Sequence, residues 1–229
     1  MLAKKYKSEV VSIENPFEGI YTVEFVPLRG KYKFLPGQFL HVALDEEYDG
    51  AGQWPESRCF SMQSSPGVDS IKITYAVKGD FTRQMEEQLQ VGSEVWLKLP
   101  YGDLFQQEHD KTNTVFIAGG TGVTPFLSLF THESFGEYES PKAYLGFRTN
   151  DFNIYQKELE EASSLNLNLN LSLIYQDTSG ILDINQIFAE NGQTANYFIS
   201  GPPIMIKDFK NKLVKNGVPP HQVLTDDWE

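Results

Sequence analysis

A change of rhythm halfway along the chain limits the folds open to it more than any other feature. In the first half, apolar and β-branched runs at 9–13, 21–25, 38–44, 58–62, 71–77 and 94–98 are separated by turn-formers such as Asn15-Pro16, Pro36-Gly37 and Pro66-Gly67. Short strands at that spacing predict a small antiparallel β-barrel or sandwich. One helix is expected to interrupt it at 81–90, with Asp80 or Thr82 as its cap.

In the second half, strand-like runs at 115–118, 143–147, 169–175 and 197–200 alternate with helix-like stretches at 125–130, 155–163, 184–190 and 204–215. That alternation predicts a parallel sheet with helices on both faces. The boundary is expected in the polar stretch 106–113, which has no apolar period, giving a barrel domain over 1–108 and an α/β domain over 109–229. Leu165, Leu167, Leu169, Leu171 and Leu173 alternate with Asn166, Asn168, Asn170 and Ser172. A central parallel strand is apolar on both faces, so this one-sided pattern predicts an edge, the place of the third strand in a five-stranded 3-2-1-4-5 order.

Composition excludes several chemistries. One cysteine in 229 residues cannot form an intrachain disulfide, ligate an ordinary iron–sulfur cluster or build a thiolate-rich zinc site. A net charge of −12 argues against a nucleic-acid-binding surface. The four histidines, His41, His109, His132 and His221, lack paired ligand spacing, so no metal is expected. No apolar run approaches the roughly 18 residues of a membrane span, and no secretory leader is recognisable, so the expected location is cytoplasmic. There is no Gly-x-Ser-x-Gly elbow to suggest hydrolysis. Charge is unevenly distributed: residues 1–33 hold six basic and four acidic side chains. That segment is either a docking face for an acidic partner or a solvated strand face.

Three local constellations suggest anion or ring binding. Phe116-Ile117-Ala118-Gly119-Gly120-Thr121-Gly122-Val123-Thr124-Pro125 runs from an apolar strand through a glycine turn into a helix. Glycines admit a close pyrophosphate and the helix start offers unpaired N–H groups, although a packing turn would look the same. At the end of the next strand stands Arg148, where a dehydrogenase fingerprint has an acidic residue. Arg148 either meets a 2′-phosphate or is a surface cation. Arg58-Cys59-Phe60-Ser61 offers charge, ring and hydroxyl along one strand, and Lys78-Gly79-Asp80-Phe81-Thr82 ends a strand and opens a helix. A half-buried strand and a plain helix cap are the alternative readings of these two.

Taken in order, Arg58-Cys59-Phe60-Ser61, Gly79-Asp80-Phe81-Thr82, Gly120-Thr121-Gly122-Val123-Thr124-Pro125 and Gly201-Pro202-Pro203, with Trp228 near the C-terminus, resemble the ferredoxin–NADP reductase superfamily. Leu35-Pro36-Gly37-Gln38-Phe39, Tyr101-Gly102 and Tyr144-Leu145-Gly146-Phe147-Arg148 extend the resemblance over essentially the whole chain. The resemblance implies a flavin-binding barrel followed by a nicotinamide-nucleotide domain, without an iron–sulfur domain. It implies that Arg58 holds the flavin pyrophosphate, Phe60 stacks on the isoalloxazine and Ser61 bonds near its N5. Val77 and Lys78 would lend backbone groups, while Gly79, Phe81 and Thr82 would close on a second phosphate, which points to FAD rather than FMN. Gly120, Thr121, Gly122 and Pro125 would take the pyrophosphate of NAD(P)H, with Gly201 and Pro202 shaping the nicotinamide pocket. Ser200 stands where many relatives have cysteine, and Trp228 would cover the outer flavin face.

The resulting expectation is an oxidoreductase that passes hydride from NAD(P)H to bound FAD and then electrons to a separate acceptor: ferredoxin, flavodoxin or an oxygenase component. Two alternatives stand beside it, a free-flavin reductase and a flavin-binding electron-transfer subunit of a larger complex. Arg148 favours NADPH and nearby Asp151 favours NADH, leaving the nucleotide open.

Overall fold

A computed structural model describes residues 2–226 of the chain. The chain forms two compact units, one ending at Asp103 and the next beginning at Leu104. This division falls ahead of the polar stretch 106–113, because Leu104 and Phe105 pack into the core of the second unit.

In the first unit, β1 (Lys4–Phe17), β2 (Ile20–Pro27), β3 (Phe39–Ala43), β4 (Arg58–Ser61), β5 (Ile71–Ala76) and β6 (Glu94–Tyr101) form one antiparallel sheet. Its order is β4-β3-β6-β1-β2-β5. The two edge strands approach each other, where the Gln63 N–H donates to the Lys72 carbonyl at 2.8 Å and the Lys72 N–H to the Ser64 hydroxyl at 2.7 Å. The result is a nearly closed barrel. Side chains alternate across each strand, so one side of every strand, including Val23, Phe25, Leu40, Val42, Ile71 and Ile73, fills the interior.

The helix α1 (Asp80–Gln88) contributes Phe81 and Met85 to that core. Its cap differs from the sequence expectation: Gly79 is the N-cap, and Thr82 lies inside the first turn. The Thr82 hydroxyl accepts from the N–H groups of Lys78 and Gly79 at 3.0 and 3.1 Å and donates to the Gly79 carbonyl at 3.0 Å. Thr82 thus fixes the turn by reaching back from within the helix.

The second unit holds five parallel strands, β7 (Thr114–Gly119), β8 (Lys142–Phe147), β9 (Asn170–Tyr175), β10 (Asn196–Ser200) and β11 (Val223–Thr225), in the order β11-β10-β7-β8-β9. The order is the expected 3-2-1-4-5. Helices α2 (Thr124–Phe130) and α3 (Gln156–Leu165) cover the face that carries Phe116, Ala118 and Leu145. A short α4 (Gln176–Ser179) follows β9, and α5 (Ile184–Asn191) and α6 (Pro203–Lys215) cover the opposite face, which carries Val115, Ile117 and Ile199. The three-residue β11 has no periodic signal, since so short a strand cannot display one.

β9 is the edge strand its alternating leucines predict, but the alternation outruns it. Leu165 ends α3, and Asn166 is buried, its amide donating to the carbonyls of Phe135 and Tyr138 at 2.9 and 2.8 Å. Leu167 is 89% exposed on the connecting loop, so only the later leucines face the core. No helix among the described residues is long and apolar enough to cross a membrane.

Candidate functional site

In the first unit the antiparallel register sets Val42 opposite Arg58, Leu40 opposite Phe60 and His41 opposite Cys59. Arg58 and Phe60 therefore share one side of β4, and Cys59 points to the other. The Arg58 guanidinium lies 5.3 Å from the centre of the Phe81 ring, bringing the cation on β4 to the opening of α1. There the N–H groups of Asp80, Phe81 and Thr82 have no carbonyl one turn back to receive them, and a helix start favours negative charge. Arg58 and this helix start therefore lie side by side. In the structure Glu56 pairs with Arg58 at 3.0 Å, and the Ser57 carbonyl accepts from the same guanidinium at 2.9 Å.

Phe60, half-buried, sits 5.7 Å from the Tyr75 ring at a tilt of 58°. Tyr75 stacks on Tyr21 at 5.6 Å, and the Tyr21 hydroxyl donates to Glu86 at 3.0 Å. Burial pushes the Tyr75 hydroxyl far above its ordinary pKa, so it stays neutral. Ser61 is buried one residue further on. The Val77 N–H is taken by the Gly19 carbonyl at 2.8 Å, which leaves Lys78 and Gly79 exposed at the strand end. Cys59 is exposed. Its place on the outward side of β4 explains this, and partial desolvation there pushes its thiol up.

In the second unit, β7 leads to β8 on one side of the sheet while β10 leads to β11 on the other, so the C-terminal ends of β7 and β10 flank the switch point where open α/β sheets bind ligands. Both ends carry glycines. A Cβ on Gly122 would lie 2.4 Å from the Gly201 Cα, 2.6 Å from its nitrogen and 2.9 Å from the Ser200 carbonyl carbon. The two turns are thus pressed backbone to backbone, and only glycine permits it. Gly120, at φ +57°, has open space above it, leaving its backbone approachable. Pro125 is buried in the first turn of α2 and Thr121 is half-buried, its carbonyl accepting from the Thr124 hydroxyl at 3.0 Å. Pro202, exposed, caps α6.

Ser200 is 2% exposed and donates its hydroxyl to Asp226 Oδ2 at 3.1 Å. Asp226 follows β11, with its N–H on the Ile199 carbonyl at 3.0 Å, so the parallel pairing of β10 and β11 sets the carboxylate beside Ser200. Sequence reading passed over Asp226, because the short strand that positions it is silent in the apolar pattern. Arg148, exposed at the end of β8, holds its guanidinium 5.9 Å over Phe152, while its carbonyl accepts from the Asp177 N–H at 3.2 Å. Trp228 lies outside the described residues. Among the described residues no group of three or more His, Cys, Asp or Glu side chains is arranged to hold a metal.

Residues 116–211 match the oxidoreductase NAD-binding domain family. Over 96% of its length the chain is 28% identical to the reductase component of propane 2-monooxygenase from Rhodococcus jostii, and it spans 62% of that protein. It is 30% identical over 51% of its length to methane monooxygenase component C of Methylosinus trichosporium, spanning 33% of that protein. Among solved structures, it resembles a ferredoxin NADP+ reductase from Neisseria gonorrhoeae with bound FAD and NADP, at a TM-score of 0.81 and 17% identity, covering 97% of this chain and 98% of that one. The ferredoxin reductase of carbazole 1,9a-dioxygenase matches at 0.79 and 21% identity, over 100% of this chain and 70% of that one. Its antiparallel barrel and five-stranded parallel sheet are thus the fold of these reductase structures, and its second unit carries the match to the oxidoreductase NAD-binding domain family.

Proposed function

We propose that the protein is an NAD(P)H-dependent flavoprotein reductase that delivers electrons to a separate acceptor, an oxygenase component, a ferredoxin or a flavodoxin. The observation that carries this reading is the placement of groups suited to anions at strand ends in each unit: Arg58 beside the opening of α1 in one, and the Gly120–Gly122 turn against Gly201 in the other. A relative named as the reductase component of a monooxygenase supports the acceptor class.

The residues of the first unit fit FAD. Arg58 and the N–H groups opening α1 would hold a pyrophosphate, with charge-assisted hydrogen bonds worth about 1.5–3 kcal/mol each. The Thr82 hydroxyl, engaged within its own turn, shapes that opening rather than reaching out. Phe60 would present a ring face to the isoalloxazine, backed by Tyr75, and Ser61 and the exposed strand end at Lys78 and Gly79 would offer polar groups to its edge. Two phosphate contacts favour FAD over FMN. When bound, the flavin supplies the coupling between a two-electron nicotinamide donor and one-electron acceptors.

In the second unit, the open backbone at Gly120 would receive the nucleotide pyrophosphate, while Thr121, Gly122 and Pro125 hold the turn in shape. Gly201 and Pro202 would wall the nicotinamide. With its proton committed to Asp226, the Ser200 oxygen would be left as an acceptor for the carboxamide N–H. The Asp226 carboxylate, beside Ser200, would favour positive charge on a ring bound there. Arg148, held over Phe152, would meet the adenosine end of the nucleotide.

Purification without added cofactor tests the reading. A yellow protein whose released cofactor is FAD, and which retains it through gel filtration, supports a prosthetic flavin. A colourless protein that oxidises NAD(P)H only with free flavin present would replace this reading with that of a flavin reductase.

A further inference from the structure

The connection between β3 and β4, residues 44–57, is long for a link between paired antiparallel strands, and it folds back over the outward side of the barrel sheet. Several contacts hold it there. The Trp96 indole N–H on β6 donates to the Tyr48 carbonyl at 2.7 Å, and the two rings meet edge-on at 5.3 Å. Lys5 on β1 reaches the Tyr48 hydroxyl and, at 3.1 Å, the Gly50 carbonyl. Trp54 stands next, edge-on to Tyr48 at 5.7 Å, with the Lys98 ammonium 5.6 Å from its ring centre.

At its end the connection meets Arg58. Trp54 Nε1 donates to Ser57 Oγ at 2.9 Å, and Ser57 Oγ lies 3.2 Å from His41 Nδ1 on β3. An indole N–H only donates, so the Ser57 oxygen accepts from Trp54 and its own proton is free for the His41 nitrogen. Burial and the neighbouring Lys98 push the His41 pKa down, so the ring is neutral and can accept it. Ser57 is thus pinned from two sides, one residue before Arg58 and on the side of the chain that carries Cys59. Its carbonyl accepts from Arg58 Nη1 at 2.9 Å, while Glu56 takes Nη2 at 3.0 Å. A guanidinium held in place by a fixed carbonyl has already lost the rotamer freedom that anion binding would otherwise have to remove.

We propose that Ser57, held by Trp54 and His41, is a positioning residue for Arg58, and that the packing of residues 44–57 on the outside of the barrel thereby sets how tightly flavin is retained. This rests on the reading of the first unit as a flavin site. Ser57 and His41 lie on the opposite side of the sheet from Phe60, so their effect on a bound flavin runs through Arg58. A connection that only covered the sheet would need the rings of Tyr48 and Trp54 but not the Ser57 hydroxyl. Its disruption would lower stability without singling out Arg58.

The test is fluorescence titration of the full chain, stripped of flavin, with FAD, alongside the melting temperature of each variant. Ser57→Ala should weaken FAD binding by about three- to tenfold, whereas Ser57→Thr, which keeps the hydroxyl, should stay within about twofold of the wild type. Trp54→Phe keeps a ring, loses the N–H donor and should weaken binding in the same way. In an Arg58→Ala background, Ser57→Ala should change the affinity by less than about twofold, because no guanidinium is left to position. In the flavin-free chain, nitrogen-edited NMR should show the Arg58 guanidinium rotating more freely in Ser57→Ala and as in the wild type in Ser57→Thr. Unchanged FAD affinity in Ser57→Ala overturns the proposal. So does an equal loss with and without Arg58, or a Ser57→Thr protein as weak as Ser57→Ala. A wild type that binds no FAD would defeat the flavin reading instead, and the guanidinium signal would still decide whether Ser57 fixes Arg58.

Discussion

Replacing Gly122 with alanine isolates the contact between the two glycine turns of the parallel sheet. The added Cβ would lie 2.4, 2.6 and 2.9 Å from backbone atoms of Gly201 and Ser200, none of which can rotate away. Ordinary carbon contacts are about 3.5–4.0 Å, so the turns must separate by about 1 Å. Overpacking of this kind costs about 1–3 kcal/mol, and in a chain of this size each kcal/mol lowers the melting temperature by about 2–4 °C. The expected fall is therefore about 2–12 °C. A shift of about 1 Å in a positioning element costs roughly a hundredfold in rate, so kcat/KM for NAD(P)H should fall by about that factor while flavin binding on the barrel is unchanged. Gly120→Ala is the contrasting control: its Cβ meets nothing within 4 Å, and only the left-handed φ of +57° is penalised, by about 1 kcal/mol. Differential scanning calorimetry and stopped-flow reduction measure the two effects. A Gly122→Ala protein with wild-type melting and wild-type nucleotide kinetics would refute the argument that the pressed turns form the nucleotide cradle.

Other perturbations read other parts of the account. Arg58→Ala should weaken flavin retention by about 10- to 100-fold, the loss of one charge-assisted contact, while Glu56→Gln, which frees the guanidinium from its ion pair, should tighten it; fluorescence titration of the flavin measures both. Asp226→Asn keeps the shape but removes the carboxylate beside Ser200, and should slow flavin reduction by NAD(P)H about tenfold with nucleotide affinity little changed; equal rates would remove Asp226 from the site. Burial holds the His109 pKa below its ordinary value, with Nδ1 on the Gln107 carbonyl at 2.7 Å and Nε2 on the Tyr138 hydroxyl at 2.8 Å. Because the unfolded chain binds that proton more readily, stability should decline as pH falls below about 6.5 and level off once the folded histidine also protonates. Urea denaturation of the wild type and His109→Gln across this range checks the sign, since the variant should lack that component.

Much of the fold was legible because its signals are periodic. The strands of the barrel announce themselves by alternation between core and solvent, and Phe116/Ala118 against Val115/Ile117 shows both faces of β7 to be buried. Where one residue serves two structural contexts the sequence misleads. Leu165 to Leu173 look like one strand, but Asn166 is turned inward to satisfy two carbonyls and breaks the run. Thr82 looks like a cap and acts as one from inside the helix. The glycine turns are legible as turns between strand and helix, but the mutual pressure of Gly122 and Gly201 links positions far apart in the chain, and no local pattern encodes it. Asp226 escaped notice for the same reason: a three-residue strand sets it.

In the proposed function, nicotinamide nucleotide held by the second unit reduces flavin held by the first. Anaerobic stopped-flow mixing of the flavin-loaded protein with NADPH and, separately, NADH tests it most directly. The account predicts complete bleaching of the flavin absorbance by at least one nucleotide, without any partner protein, at a rate that saturates with nucleotide concentration. Flavin that stays oxidised in the presence of either nucleotide at saturating concentration would contradict it.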